Sequence, residues 1–153
     1  MGPFRYVDPG IPDDGTVELL LDKYTEDVDK TRSYVPFYEF KVSLSGTGKA
    51  VGGLVLRVGY NDHIVVCAGH IGYGIDGPFR GNGYAARAVA LAVGFARKLN
   101  MPYLVITTRP DNEASKRTAA KAGFVYAGSA SVPEDDEMYA EGERIMDRYV
   151  LDL

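Results

Sequence analysis

A short run with one arginine and two glycines stands at the predicted start of a helix, where it could bind an anion. Arg80, Gly81 and Gly83 follow a predicted strand that ends at Ile75, and an apolar pattern with helical spacing begins at Ala85. A helix that opens on glycines leaves several main-chain N–H groups without an internal partner and presents the positive end of its dipole. Since Arg80 adds a guanidinium, this stretch predicts a phosphate-binding site.

The glycines alone leave two other interpretations open. They can serve only a tight turn and close packing of the helix against a sheet. The run from Gly81 to Ala86 also fits the dinucleotide pattern G-x-G-x-x-A, which needs an acidic residue at the end of the next strand. That strand is followed by Arg109, with no acid before Asp111. Arg109 could meet a 2′-phosphate, so an NADPH-linked oxidoreductase is a third hypothesis.

Hydrophobic patterning predicts the elements that must position this run. Predicted strands cover residues 17–24 (with a short helix as an alternative), 38–44, 50–58, 63–75, 103–108, 124–132 and 146–153. Predicted helices cover 84–99 and 113–121. The first strands form an antiparallel meander, and strand 103–108 is expected to lie parallel to the strand ending at Ile75. We therefore predict an α/β fold: one domain over 1–153, with a mixed, bent sheet of six or seven strands flanked by helices.

Composition restricts the class of protein. The apolar fraction of 46% and charged fraction of 25% are typical of a soluble globular chain. A net charge of −4 argues against a nucleic-acid partner. No apolar run approaches the length of a membrane span, and the start has no signal-peptide pattern. The single cysteine, Cys67, favours a reducing compartment, so we expect a cytoplasmic protein.

Two motifs in order resemble the GNAT superfamily of acetyl-CoA-dependent N-acyltransferases. The run Arg80 to Ala85 matches the signature Q/R-x-x-G-x-G/A, at the start of the central helix where that family carries it. The segments Asn112 to Ser115 and Lys121 to Phe124 are similar to the family's N-x-x-S/A and K-x-G-F. The resemblance spans about residues 71–128 and is closest to the branch that includes ribosomal-protein N-terminal acetyltransferases.

The resemblance implies acetyl-CoA as cofactor and a set of residues that bind it. Main-chain amides of 81–85 and the Arg80 side chain would hold the pyrophosphate, while the strand edge from Tyr73 to Ile75 would pair with the pantetheine amides. A main-chain N–H near Ile75 and Asp76 is the candidate oxyanion donor. The predicted cofactor-binding residues are Tyr73, Ile75, Arg80, Gly81, Asn82, Gly83, Tyr84, Ala85, Asn112 and Ser115. Helix capping is an equal alternative for Asn112, and solvated helix charges are the alternative to a 3′-phosphate contact for Lys116, Arg117 and Lys121.

Proton transfer is harder to assign. His70 is the candidate general base because it lies on the strand leading into the site and imidazole titrates near neutrality, although a packed sheet histidine is an equal alternative. Glu39 is the second candidate, and His63 is expected to be exposed in a turn. The tyrosine that the family uses as proton donor is replaced by Ala119. No spacing predicts a metal site, and Cys67 is expected to be a buried apolar residue.

The resulting hypothesis is direct acetyl transfer from acetyl-CoA to a primary amine, on a small molecule or a protein N-terminus. The loss of the tyrosine at Ala119 supports an alternative, an acyl-CoA-binding sensor without turnover. Tyr139 and the acidic residues 134–137 would border the acceptor pocket, or form a solvated loop. The family's helices between the first two strands have little room in residues 25–36, so the pocket is expected to be open or completed by a partner in a homodimer.

Overall fold

The computed structural model describes residues 5–26 and 34–153, and within these ranges the chain forms seven strands in two antiparallel sheets. The strands are β1 (Val17–Thr25), β2 (Phe37–Leu44), β3 (Ala50–Arg57), β4 (Ile71–Ile75), β5 (Tyr103–Thr108), β6 (Val125–Ser131) and β7 (Ile145–Asp152). The helices are α1 (Tyr84–Lys98), α2 (Glu113–Lys121) and α3 (Glu137–Ala140), with a π-helix at His63–Ala68 and a 3-10 turn at Gly77–Phe79. None of the helices in the two described ranges has both the length and the apolar character needed to cross a bilayer.

The first sheet has the order β1-β2-β3-β4 and carries α1 on its inner face. Alternation along β2 turns Tyr38, Phe40 and Val42 into the core and leaves Glu39 and Lys41 on the outer face. The small residues of α1 let the helix approach closely, and its Phe95 packs edge-on against Tyr38 with ring centroids 4.9 Å apart. This core fixes which strand face is left for a site.

The second sheet has the order β5-β7-β6, and a main-chain hydrogen bond links it to the first sheet just before β4 begins. The main-chain N–H of His70 donates to the carbonyl of Val105 at 2.7 Å, just before β4 begins. Beyond this bond β4 and β5 form no ladder, so the single mixed sheet that the sequence predicts is divided into two sheets at this point. Gly69 is required beside this junction, because its φ is +74° and a Cβ there would stand 3.0 Å from the main-chain nitrogen of Thr107. The seven strands therefore form two sheets, with a gap between β4 and β5.

The structure differs most from the predicted secondary structure at residues 63–68, where the sequence favours a strand that continues to Ile75. These residues form a π-helix instead. The Asn61 carbonyl accepts from the N–H groups of Ile64 and Val65, and its side chain also accepts from Ile64, so the first turn is held at its start. Ile64 and Cys67 are buried three residues apart, which suits a helix packed on one side. A short run of apolar β-branched residues does not distinguish these two outcomes.

The other elements lie close to their predicted bounds. β5 and α2 coincide with the predicted ranges, and α1 ends one residue earlier. The predicted short connection between β1 and β2 falls partly outside the described residues, at 27–33. The fold class is confirmed as α/β, with the sheet divided into two parts.

Candidate active site

A cleft of about 520 Å³ lies between the end of β4, the start of α1 and one face of α2. Arg80, Arg117 and Lys121 line it, and none of the described residues that line it is acidic. This is a local reversal of charge, since the whole chain carries a net −4. The cleft is therefore suited to a polyanion.

Main-chain donors face this cleft at the start of α1. Gly83 is the N-cap residue in a left-handed conformation, with φ of 76° and no side-chain cap. The N–H groups of residues 81–86 donate to no acceptor among the described residues, whereas the next one, of Arg87, reaches the Gly83 carbonyl at 3.3 Å. These free amides and the helix dipole form an anion site whose donors are already in place.

The Arg80 side chain is held beside these amides. Its Nε donates to the Ile75 carbonyl at 2.8 Å, which leaves the two terminal nitrogens of the guanidinium available for a ligand. Asn82 does not line the cleft: its side-chain amide donates to the Phe79 carbonyl at 3.0 Å and closes the turn. Of the two side chains, only that of Arg80 lines the cleft.

The α2 wall of the cleft is tied to β4. The Asn112 side chain accepts from the Ser115 N–H at 3.0 Å, so it caps α2, and the Ser115 hydroxyl lies 2.9 Å from the Tyr73 hydroxyl. Burial raises the pKa of Tyr73, although the hydrogen bonds from Ser115 and Thr118 oppose it. The Tyr73 phenol is therefore protonated through the neutral range.

A second cleft, of about 650 Å³, lies on the outer face of the first sheet and shares β4 with the first cleft. Its floor has no side chains at Gly53, Gly72 and Gly74, and Gly53 stands opposite Gly74 in the β3–β4 register. Glu39 stands in the same cross-strand row as Gly72, through Val55. The half-buried Glu39 carboxylate has no hydrogen bond or ion pair with any residue that the structure describes. We call this the glycine trough.

Arg57 connects the glycine trough with a third cavity of about 500 Å³, since it lines both. Its guanidinium donates to the carbonyls of Gly69 at 3.2 Å and Ala68 at 3.4 Å. Burial lowers the pKa of Arg57. The third cavity is bordered by Tyr34, Val35, Phe37, His63, Thr107, Met138, Glu137 and Glu141, among others.

The surroundings of His70 argue against its predicted role as the general base. Its side chain is fully buried. Nδ1 accepts from the Val105 N–H at 2.9 Å and Nε2 donates to the Gly59 carbonyl at 2.8 Å, so both nitrogens are occupied in the neutral ring. Burial lowers its pKa to about 4, because a charged ring would lose its solvation and lie near the Arg57 charge, although the hydrogen bond to Gly59 opposes the shift. His70 holds the two sheets together.

Two further expectations are corrected by hydrogen bonds. The Asp76 N–H donates to the Val51 carbonyl at 2.8 Å, so it is not free to stabilise an oxyanion. Lys116 turns away from the cleft to the Asp147 carboxylate at 3.2 Å, whereas Arg117 and Lys121 line it. Ala119, at the position of the family's tyrosine, is fully buried in the core.

His63 is not the exposed turn residue that the sequence suggests. Its side chain is only 10% exposed, and its Nδ1 lies 2.6 Å from Asp136 Oδ2. Cys67 is buried next to them, where burial and the Asp136 carboxylate raise the pKa of its thiol to about 12. The sequence does not reveal this cluster, because residues 63–68 are predicted to form a strand. His63 and Cys67, four residues apart, lie far from each other on a strand but about one turn apart on a helix.

Several solved structures of acetyltransferases share this fold. A GNAT-family acetyltransferase from Bacillus anthracis matches with a TM-score of 0.60 and 20% identity, over 74% of this chain and 65% of that one. A ribosomal-protein alanine acetyltransferase from Vibrio fischeri matches with a TM-score of 0.66 and 16% identity, over 94% of this chain and 96% of that one. RimL, a ribosomal-protein α-N-acetyltransferase in complex with coenzyme A, matches with a TM-score of 0.65 and 16% identity, over 94% and 98%. At these identities the likeness shows the fold alone.

A comparison with curated protein sequences gave no significant match. Residues 4–125 match the family model of the acetyltransferase (GNAT) domain, which is well over half of the chain. The chain therefore belongs to the GNAT acetyltransferase domain family, which confirms the predicted family. Family membership supports the predicted class of enzyme, an acetyl-CoA-dependent N-acetyltransferase, and acetyl-CoA as the acetyl donor.

Proposed function

We propose that this chain transfers acetyl from acetyl-CoA to the primary amine of a protein or peptide N-terminus, with the cofactor in the cleft at the start of α1. The observation that carries the proposal is the row of free amides at residues 81–86, in a cleft lined by Arg80, Arg117 and Lys121 and, among described residues, by no acid. A nucleotide diphosphate with a further phosphate matches this distribution of charge.

The residues named as cofactor-binding take distinct parts in this proposal. The amides of Gly81, Gly83, Tyr84 and Ala85 and the guanidinium of Arg80 hold the pyrophosphate. The free edge of β4, from Tyr73 to Ile75, receives the pantetheine as an added strand, because β4 ends the first sheet and β5 does not pair with it. Asn112 and Ser115 shape the opposite wall, and Asn82 acts through its main chain.

The acceptor amine is proposed to enter along the glycine trough. The glycines at 53, 72 and 74 allow an extended peptide to approach the main chain of β4 from the face opposite α1. An amine must be neutral to attack a thioester, yet a free primary ammonium has a pKa near 10. Glu39 is the carboxylate placed to take that proton, directly or through water, since nothing else among the described residues occupies it.

Departure of the thiol needs a proton donor, and we assign it to Tyr73. The family's tyrosine is absent at Ala119, but Tyr73 lines both the cofactor cleft and the glycine trough. Its hydroxyl is fixed by Ser115 at 2.9 Å and keeps its proton because burial raises its pKa. When bound, acetyl-CoA would supply the acetyl group, and coenzyme A would leave as the free thiol.

The acidic border of the third cavity supports a cationic acceptor. Glu137 and Glu141 line that cavity, which continues from the glycine trough past Arg57. Carboxylates there attract an incoming ammonium and lengthen its stay near the site. Two of the structural neighbours are named as acetyltransferases of ribosomal proteins, which supports a protein N-terminus as the acceptor class.

We also infer a single acetyltransferase domain over 1–153, because Leu151 and Leu153 of the last strand pack on the same core as β1 to α1. A cytoplasmic location follows from the single cysteine, and a homodimer would close the open trough. Cell fractionation and light scattering test the last two inferences.

Two measurements test the proposed function. Calorimetry should show acetyl-CoA binding that an added excess of NADPH does not displace. Release of free coenzyme A should then appear with short peptides bearing a free α-amino group and disappear when that group is blocked. Tight binding without turnover for any peptide or small amine would instead establish the acyl-CoA sensor, which the buried Ala119 favours. Absence of acetyl-CoA binding would overturn both.

A further inference from the structure

We propose that His63, Cys67 and Asp136 form a site for a single zinc-class divalent ion at the edge of the third cavity. The imidazole nitrogens of His63, the sulfur of Cys67 and the carboxylate oxygens of Asp136 offer one ligand atom each, and the three atoms lie within 4.8 Å of one another. Among the described residues, this is the one group of three such side chains gathered at that distance. The proposal does not depend on the assigned acetyltransferase activity.

The separations are those of a site that needs small adjustments. Tetrahedral zinc with bonds of about 2.0–2.3 Å places neighbouring ligand atoms roughly 3.3–3.6 Å apart. His63 Nδ1 and Asp136 Oδ2 now lie 2.6 Å apart across a shared proton. An ion between them would move these two atoms apart and bring the sulfur to the same spacing, within the reach of side-chain rotations.

The surroundings already hold two of the ligands in place. Asp136 Oδ1 accepts from the Met138 N–H at 2.9 Å, which leaves Oδ2 directed at His63. The second ring nitrogen, Nε2, lies 3.8 Å from the Glu137 carboxylate. A metal-bound histidine usually donates its other N–H to a carboxylate, and Glu137 is the carboxylate placed near enough to accept it after a small side-chain movement.

Charge balance also fits a divalent ion. The Cys67 side chain is fully buried, and the His63 and Asp136 side chains are 10% and 7% exposed. One thiolate, one carboxylate and a neutral imidazole cancel the charge of the ion, so the loaded site has no net charge to bury. Loading releases the thiol proton to solvent, while the neutral imidazole keeps its one proton on Nε2.

The ligand types favour zinc over magnesium or calcium. A thiolate and an imidazole are poor ligands for magnesium and calcium, which prefer oxygen. Three protein ligands leave a fourth position, and His63 lines the third cavity, so water can reach it and the ion can enter there. The class of ligand is therefore Zn²⁺, with Co²⁺ as its spectroscopic substitute.

Titration of the reduced, full-length protein with Co²⁺ tests this directly. We expect a near-ultraviolet thiolate-to-cobalt charge-transfer band, with visible bands of tetrahedral intensity, that saturate at one ion per chain. Because the chain has one cysteine, that band can arise only at Cys67. Zn²⁺ should abolish the bands by displacement and raise the Tm by about 5 °C or more at a hundredfold excess over its Kd.

Three variants separate a metal site from a hydrogen-bonded cluster. Cys67→Ser should abolish the charge-transfer band, and Asp136→Asn and His63→Gln should each weaken Co²⁺ binding by at least about tenfold. Their Tm in the presence of chelator shows whether each variant still folds, and Glu134→Gln is the control on the exposed part of the same loop. A wild-type protein without the band, or with a Tm indifferent to Zn²⁺, would overturn the proposal and leave a hydrogen-bonded cluster only.

Discussion

The sequence predicts the cofactor cleft on one side of β4 better than it predicts the cavities on the other side. One side of the cofactor cleft is built from consecutive residues, because the end of β4, the 3-10 turn and the start of α1 follow one another over 73–86, and α2 supplies the other wall. The third cavity and the glycine trough are built from segments far apart in the chain, among them β2, the π-helix and the β6–β7 connection. Local motifs therefore announce the first region, while the second depends on how distant segments pack.

The two histidines show the same contrast at single-residue scale. His70, the more attractive base by position, is buried at the junction of the two sheets with both nitrogens bonded. His63, predicted to be an exposed turn residue, borders a cavity and pairs with Asp136 across 73 positions of sequence. An imidazole's chemical role depends on its partners, and those partners are distant in the chain.

The largest effect is expected at the acceptor side. Glu39→Gln should lower kcat for a peptide amine by about 10²–10⁴-fold, the usual loss on removing a general base, with the Kd for acetyl-CoA unchanged. Steady-state release of coenzyme A and calorimetry measure the two quantities. Glu134→Gln, at an exposed acid outside the three cavities, is the matched control. A Glu39→Gln variant with the wild-type kcat would mean that Glu39 is not the general base.

His70 should affect stability rather than catalysis. In the unfolded chain an imidazole gains a proton below a pKa of about 6.5, whereas burial holds the folded pKa of His70 at about 4. The folded state is therefore fully favoured above pH 6.5 and loses roughly 3 kcal/mol as pH falls from 6.5 to 4. Urea unfolding across this range should show that loss in the wild type and a flatter profile in His70→Gln. Equal slopes would mean that His70 does not stay neutral in the folded protein.

At the cofactor side, Arg80→Ala should weaken acetyl-CoA binding by roughly 1.5–3 kcal/mol, the value of a hydrogen bond to a charged group. Arg87→Ala is the matched control, because Arg87 is exposed on the first turn of α1 and pairs with Asp14 at 3.0 Å instead of lining the cleft. Calorimetry at fixed ionic strength compares them. Equal losses would point to a general electrostatic effect without a defined phosphate site.

The smallest effect separates conformation from contact in α1. Gly83→Ala should cost about 1–2 kcal/mol of folding free energy, because φ at this position is +76°. Gly94→Ala, at an exposed position of the same helix with nothing within 4 Å of a new Cβ, should gain about 0.5–1 kcal/mol. Denaturant unfolding measures both. Changes of the same sign would contradict the assigned role of Gly83 as the left-handed cap.

Most element bounds are predictable because the patterns that set them are local. The alternation from Tyr38 to Leu44 marks β2, and Asn112 and Gly123 mark the ends of α2. The apolar run at 63–68 is not predictable, since neither its periodicity nor its composition excludes a helix. The junction between the two sheets is not predictable either, because it depends on side-chain and main-chain bonds between His70 and Val105.

The sequence by itself determined the family, the phosphate-binding turn and the positions of the central helix and strands, because each is specified by short motifs or by a local hydrophobic pattern. Only the tertiary structure decided that His70 is a structural clasp, that Asp76 has no free amide, and that His63, Cys67 and Asp136 share one site. Those outcomes depend on contacts between residues up to 73 positions apart, where burial and hydrogen bonding, not residue type, set the chemistry.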